Sequence, residues 1–287
     1  MMRILHISDL HFWTITCNPF YLLNKRLIGN LNLVTCRRRH IRQERAGSFI
    51  ELMKGLCPDV VLVGGDLTTT ALDSEYEKAS GFLSRLQTVC PDIYVIPGNH
   101  DYYTFESQRK GRFEKYLGRY NPLSDPFVSY HSINDIALVC LSTVRPNLFS
   151  SRGFISKPHR DAAQKILWEL QEQQVIVLAH YPCLYTTPEY HTGLTRRLEG
   201  ALPLREMLGG VGRSILYLAG HVHVFSHGCD PVYANVTQVT TAPLFYEKNK
   251  QPGGFTEIVT DKDELKIFPW TYDEGWTRCR ESLPAPA

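Results

Sequence analysis

Five short apolar runs in this chain each stop at a cluster of oxygen- and nitrogen-bearing side chains. That ordered set constrains the fold more than any single motif. The clusters are Asp9-Leu10-His11, Gly65-Asp66, Gly98-Asn99-His100-Asp101, His180 and Gly220-His221-Val222-His223. Ligands in open α/β sheets gather at the carboxyl ends of strands. If each run is a strand, the clusters must line one pocket from distant points in sequence. Hard carboxylate oxygens, an amide oxygen and imidazole nitrogens in one place predict a site for two metal ions.

These five runs read as buried strands over Arg3–Ser8, Asp59–Val63, Ile93–Ile96, Val175–Ala179 and Ser214–Leu218, and a sixth reads the same way over Ile136–Leu141, all short, apolar and rich in β-branched residues. Helical stripes lie between several of them. Phe49, Leu52, Met53 and Leu56 form one, Ala163, Ile166, Leu167 and Leu170 a second, and Tyr76, Ala79, Leu83 and Leu86 a third. The last part turns β-rich over Asn235–Thr241 and Gly254–Thr260. A polar turn, Asp261-Lys262-Asp263-Glu264, then leads into Leu265–Trp270. The expectation is an α/β fold with two mixed β-sheets packed as a sandwich and flanked by helices. A single domain over 1–276 would carry an insert at about 12–45, and 277–287 would be a loose tail.

Composition is that of an ordinary globular chain, with 43% hydrophobic and 21% charged residues and a net charge of +2. Such a balance gives no global electrostatic case for nucleic acid. The charge is unevenly placed, however. Residues 1–45 hold eight lysines and arginines against only Asp9 and Glu44. The eight cysteines show no CxxC pair, which points to reduced thiols and a cytoplasmic location. No signal-peptide pattern opens the chain, and no apolar run has bilayer-spanning length.

Taken alone, each cluster has a bland reading. Gly98-Asn99-His100-Asp101 suits a tight turn, and a lone histidine such as His180 is commonly structural. The set together fits a dinuclear centre, in which two ions about 3.5–4 Å apart clamp the oxygens of a phosphoryl transfer. Asp66 suits the carboxylate that such a pair must share, because Gly64 and Gly65 let the backbone come close. Asp9 and His11 can both reach one ion from a strand-end loop. Asn99 adds an oxygen without adding charge. His221 and His223 should point the same way in an extended segment, with Val222 facing away.

With these motifs in hand, the chain resembles the calcineurin-like metallophosphoesterases. Their pattern, D-x-H, G-D, G-N-H-[DE], H and G-H-x-H, is present in order between residues 9 and 223. The resemblance implies hydrolysis of a phosphodiester or pyrophosphate by metal-activated water. It implies one ion held by Asp9, His11, Asp66 and His223 and another by Asp66, Asn99, His180 and His221. The ions would be divalent, manganese first, with iron, zinc, cobalt or magnesium as alternatives. His100 would contact the phosphate and assist the leaving group, Asp101 would orient His100, and Asn99 would help stabilise phosphoryl charge.

The stretch Phe12–Arg45 is unusual. Asn18-Pro19 signals a helix start, and Phe20, Leu23, Leu27, Leu31 and Val34 then recur at helical spacing, followed by Arg37-Arg38-Arg39-His40-Ile41-Arg42. Such a segment can pack its stripe on the domain or rest on an anionic membrane; the packed arrangement is the expectation. Because it leaves from the His11 loop, Lys25, Arg26, Arg37 and Arg38 are candidate substrate contacts, with Tyr102, Tyr103 and Tyr181 beside the other clusters. Asn24-Lys25-Arg26-Leu27-Ile28-Gly29, then Asn32-Leu33, is similar to the same region of UDP-2,3-diacylglucosamine hydrolases of lipid A synthesis. That resemblance implies a lipid-linked nucleotide substrate, cleaved to a lipid X-type monophosphate and UMP, with peripheral contact to the inner membrane. The alternatives are a cyclic-nucleotide or small-diester phosphodiesterase and a non-catalytic binding scaffold.

Overall fold

A strand covered on both faces reads as a continuous apolar run, and this chain has two sheets of such strands. The structure is a computed structural model that describes the chain apart from residues 23–24, 122, 124–126, 149, 248–250, 262–263 and 285–287. Its strands are β1 (Arg3–Ile7), β2 (Val60–Val63), β3 (Asp92–Val95), β4 (Val128–Ile133), β5 (Ile136–Leu141), β6 (Gly153–Phe154), β7 (Gln174–Ala179), β8 (Leu198–Glu199), β9 (Ile215–Ala219), β10 (Ser226–Cys229), β11 (Val236–Thr240), β12 (Gly254–Asp261), β13 (Glu264–Tyr272), β14 (Trp276–Arg278) and β15 (Leu283–Pro284). One sheet runs β14-β13-β12-β1-β2-β3, with β15 also on β13; the other runs β10-β11-β9-β7-β5-β4. β1, β2 and β3 are mutually parallel, as are β5, β7, β9 and β11. β12 lies antiparallel to β1, and β4 antiparallel to β5. The sheets are therefore mixed, as the sequence led us to expect.

Alternation within each strand builds two cores. Ile4, Val60 and Leu62 meet Leu138, Ile176, Leu178, Leu216 and Leu218 between the sheets. Their sequence neighbours Leu5, Ile7, Val61 and Val63 face the other way, into a cluster with helix residues Phe49, Met53, Tyr76 and Leu83. The helices outside are α1 (Pro19–Leu22), α2 (Arg26–Thr35), α3 (Arg45–Leu56), α4 (Asp73–Gln87), α5 (Phe105–Arg109), α6 (Arg112–Leu117), α7 (Lys157–Glu169) and α8 (Ala201–Gly209). α3, α4 and α7 carry the three stripes read from sequence. α5, α6 and α8 were not anticipated, nor were β4, β10 and the short β6–β8 pair. The 277–287 stretch, expected to be loose, pairs in part: Arg278 lies opposite Trp270 and Leu283 opposite Ile267. Lys262 and Asp263 of the expected polar turn lie outside the described residues.

The insert departs from its expected packing. Its helix is broken, and α2 turns its polar side inward. Arg26, Asn30 and Leu33 are buried, whereas Phe20, Leu27, Leu31 and Val34 are exposed; Leu23 lies outside the described residues. The reason is an anchor of charge. Arg26 donates from Nε to Thr70 O at 2.9 Å, from Nη2 to Ala71 O at 3.1 Å and from Nη1 to Glu106 at 2.9 Å. Glu106 also accepts from Arg112 at 2.7 and 3.0 Å. Asn30 bonds back to Arg26 O. Gly29 completes that inward face, because a Cβ there would sit 2.7 Å from the Tyr103 hydroxyl. Fully bonded polar groups can be buried where unpaired ones cannot, so four hydrogen bonds decide which face points out.

This anchor predicts a pH-dependent stability. Burial would raise the Glu106 pKa, but hydrogen bonds from Arg112, Lys110 and Arg26 outweigh it and hold the group down to about 2. A depressed carboxyl stabilises the fold above its unfolded pKa, and that stabilisation is lost as pH falls toward the folded value. Glu106→Gln should lower unfolding free energy by about 1–2 kcal/mol at pH 7, between the values for surface and buried pairs. Urea titrations should show the gap to wild type closing between roughly pH 4.5 and 2; a gap that is absent at pH 7, or constant across that range, would refute the anchor.

Candidate metal centre

The parallel strands deliver their loops to one end of the sandwich. Asp9 and His11 follow β1, Asp66 follows β2, Asn99 follows β3, His180 follows β7, and His221 and His223 follow β9. Each chain reversal is tight. Asp9, His11, Asp66, His221 and His223 all have left-handed backbones, with φ between 52° and 67°. Non-glycine residues seldom adopt this region, and where they do the neighbourhood must hold them there. The expected extended geometry at 221–223 is thus corrected. Two left-handed residues turn the loop so that His221 and His223 reach different partners. Close backbone approach makes this possible: a Cβ on Gly98 would fall 2.1 Å from Asp66 N, and one on Gly220 2.5 Å from Asp9 Oδ2.

The side chains form two groups, Asp9, His11, Asp66 and His223 in one and Asp66, His180 and His221 in the other. Within each group the ligand atoms all lie within 4.8 Å of one another. In the first, His11 Nε2 lies 3.0 Å from His223 Nε2, and His223 Nε2 lies 3.1 Å from Asp9 Oδ1. In the second, His180 Nε2 is 3.5 Å from Asp66 Oδ1. Asn99 Oδ1 completes it, 3.2 Å from His180 Nε2 and 3.0 Å from His221 Nδ1. Asp66 belongs to both.

The chemistry of these contacts fits cations. Asp9 Oδ1 is buried without a well-formed hydrogen bond, which is costly for a carboxylate unless a positive partner compensates it. Carbonyls fix the histidine tautomers. His180 Nδ1 is 2.7 Å from Gly64 O and donates to it, which turns Nε2 toward the oxygens of Asp66 and Asn99. His221 Nε2 donates to Arg196 O at 3.1 Å, which leaves Nδ1 unprotonated on the side of Asn99. Backbone partners of this kind orient metal-binding imidazoles. Burial would depress the His180 pKa, yet the Asp66 charge and hydrogen bond, with Asp9 behind them, lift it to about 9. His11 and His221 are pushed well down, chiefly by burial. Asp66 resists its burial and stays well below the carboxylate range, held by His180 and His100.

His100 lies beside both groups and belongs to neither. Its Nδ1 donates to Thr69 O at 2.6 Å, and its backbone N–H donates to Asp66 Oδ1 at 2.7 Å. Nε2 faces the cleft and accepts from Arg37 Nη1 at 3.2 Å. Burial and the Arg37 charge bring its pKa to about 3, so the ring is neutral. Asp101 does not orient it, contrary to expectation. The Asp101 carboxylate is buried and accepts from Gly98 N at 2.8 Å, Thr68 N at 2.9 Å and Leu67 N at 3.3 Å. It ties the β2 and β3 loops together, and the Thr69 carbonyl orients the imidazole instead.

The candidate substrate residues divide. Arg37 reaches the centre, with Nη2 2.9 Å from His11 Nε2. Lys25 and Arg26 do not: Lys25 Nζ donates to the Asn147 and Ser150 carbonyls, and Arg26 is the buried anchor. Arg38 is exposed and lies off the cleft wall. Tyr103 stacks on His100 at 5.4 Å and Tyr181 packs on His221 at 4.2 Å, so both brace imidazoles. Tyr102 is buried and donates to Glu114. The cleft holds about 500 Å³ and is lined by Arg37, Asn99, His100, Arg196, His223 and Tyr246 among others. Arg196 and Tyr246 were missed in the sequence. The Arg196-Arg197 pair, on the long connection after His180, was the available signal; Tyr246 had none.

A family model described as calcineurin-like phosphoesterase matches residues 2–225, a span that includes every position of the two groups. In fold, the chain is similar to a dimetal phosphatase from Danio rerio. The TM-score is 0.67 at 13% identity, over 100% of this chain and 99% of that one. It is also similar to a purple acid phosphatase from seeds of yellow lupin (Lupinus luteus), with a TM-score of 0.60 at 13% identity, over 99% of this chain and 52% of that one. No curated protein sequence matches.

Proposed function

Because the chain belongs to the calcineurin-like phosphoesterase family, and is thereby a metal-dependent phosphoric ester hydrolase, we propose that its substrate is a phosphodiester or pyrophosphate on a lipid-linked nucleotide. The specific reading is UDP-2,3-diacylglucosamine, cleaved to the lipid monophosphate and UMP, by a cytoplasmic protein working peripherally at the inner membrane. The observation that carries the chemistry is the pair of ligand groups sharing Asp66, with a guanidinium beside them. In support of the substrate, Arg37 comes from the insert whose sequence is similar to the diacylglucosamine hydrolases.

Asp9, His11, Asp66 and His223 would hold one ion, and Asp66, Asn99, His180 and His221 the other. When bound, two divalent ions supply positive charge for the phosphoryl oxygens and make water acidic enough to attack at neutral pH. The protein's own groups do the rest. Arg37 can fork two N–H donors onto phosphoryl oxygens. Arg196 lines the same cleft beside His221, where it donates to His221 O at 3.0 Å. His100 presents Nε2 to the same space. A phosphate arriving beside it would counter the Arg37 charge, raise its proton affinity and let it pass a proton to the leaving oxygen.

A substrate panel with added manganese tests this reading. UDP-2,3-diacylglucosamine, a UDP-sugar without acyl chains, a cyclic nucleotide and bis-p-nitrophenyl phosphate would be compared. The expected outcome is UMP and lipid monophosphate from the first at a kcat/KM at least tenfold above the others. Turnover of the cyclic nucleotide alone would move the assignment to small diesters; turnover of none would favour a binding role.

A further inference from the structure

The outward face of α2 has no partner among the described residues. Leu27 is 53% exposed, Ile28 67%, Leu31 63% and Val34 40%, and Phe20 in α1 is 80% exposed. Positions 27, 31 and 34 recur at helical spacing, so they form one apolar strip, with Ile28 beside it. The strip is not an accident of a loosely held helix. Arg26, Asn30 and Leu33 fix the opposite face, through the buried hydrogen bonds to Thr70, Ala71 and Glu106. Contiguous apolar surface of this kind marks an interaction site.

Charge identifies the partner. From Leu10 to Gln43 the chain has no acidic residue and six basic ones. Glu106 neutralises Arg26, and Glu247 lies 3.6 Å from Arg42. Arg38 and Arg39 stay exposed just beyond the strip. A second copy of the chain, docked symmetrically through this face, would bring the same arginines together. An apolar strip edged with exposed arginines, for which no carboxylate partner lies among the described residues, complements an anionic lipid surface. We propose that the outward face of α2 docks on an anionic bilayer and sets the catalytic cleft at the headgroup layer. The cleft wall includes Asn32, Cys36 and Arg37 from the same helix and the turn after it. Its mouth is therefore within about one helix diameter, ~10 Å, of the docked face. The inference deepens the function proposed above and rests on it for the substrate, though docking itself is measured separately.

The test uses the full-length protein and sucrose-loaded vesicles. Wild type should co-sediment with vesicles of phosphatidylglycerol and phosphatidylcholine, at least tenfold more tightly than with phosphatidylcholine alone. The combined variant Leu27→Ser, Ile28→Ser, Leu31→Ser and Val34→Ser should bind at least tenfold more weakly, while hydrolysing bis-p-nitrophenyl phosphate within twofold of wild type. Ile28→Trp, which keeps the strip apolar, should give a blue-shifted emission when anionic vesicles are added. No wild-type binding, equal binding by the combined variant, or an unshifted tryptophan would overturn docking. So would a wild-type dimer that the combined variant converts to monomer, since a second copy would then cover the face. Vesicle binding without UMP release from the lipid substrate would retire the substrate reading and leave docking standing. UMP release without vesicle binding would do the reverse.

Discussion

Asp66→Asn should lower kcat by at least about a thousandfold, roughly 4 kcal/mol in the activation barrier. The substitution preserves shape. It removes the charge that lies in both ligand groups, and like-charged ions at short separation need a shared anion between them. An amide also turns one of its two oxygens into a hydrogen donor, where His100 N donates at 2.7 Å and His180 Nε2 approaches to 3.5 Å. Elemental analysis of manganese-loaded protein should show fewer than two ions per chain. Circular dichroism should be unchanged, because Asp66 sits in a loop beyond β2 and holds no strand. Two ions per chain in the variant, with wild-type turnover, would remove Asp66 from the centre.

His100→Ala should reduce kcat by about a hundred- to a thousandfold, within the span known for a positioned acid–base group, and should leave the metal content at wild-type level. The separation follows from geometry. The side chain lies in neither ligand group, and the link from this loop to Asp66 runs through the backbone N–H, which alanine retains. A p-nitrophenyl ester, whose leaving group needs little protonation, should lose less activity than an alkyl ester if the imidazole serves the leaving oxygen. Equal losses on both esters would confine His100 to binding the phosphoryl group. Loss of an ion together with activity would make it a ligand instead.

The sequence made the centre legible because its chemistry is written in short strings at strand ends. Parallel strands β1, β2, β3, β7 and β9 stop beside the clusters that the apolar runs indicated, and the sandwich follows from runs buried on both faces. Other features were hidden for physical reasons. The orientation of α2 could not be read from its apolar stripe, because three hydrogen bonds from one arginine to distant carbonyls and a carboxylate outweigh it. Asp101 looked like a partner for its neighbour His100, but adjacent side chains in a tight turn diverge, and its carboxylate serves amides of the β2 loop. The left-handed turns at His221 and His223 have no signature in a Gly-His-Val-His string. Arg196 and Tyr246 reach the cleft only through the tertiary course of long connections.

A Cβ on Gly65 would come within 2.5 Å of Gly98 N, so two stretches of main chain meet there with nothing between them. One bears Asp66 and the other Asn99. Main chain is stiffer than any side-chain spacer, and Asp101 clamps the same two loops. The spacing of Asp66 and Asn99, which would hold the ions, is therefore gauged by bare peptide, not by the cleft wall. Changes at Arg37, Arg196 or Tyr246 can retune what enters the cleft while that gauge stays fixed. One inner mechanism can thus serve many outer rims.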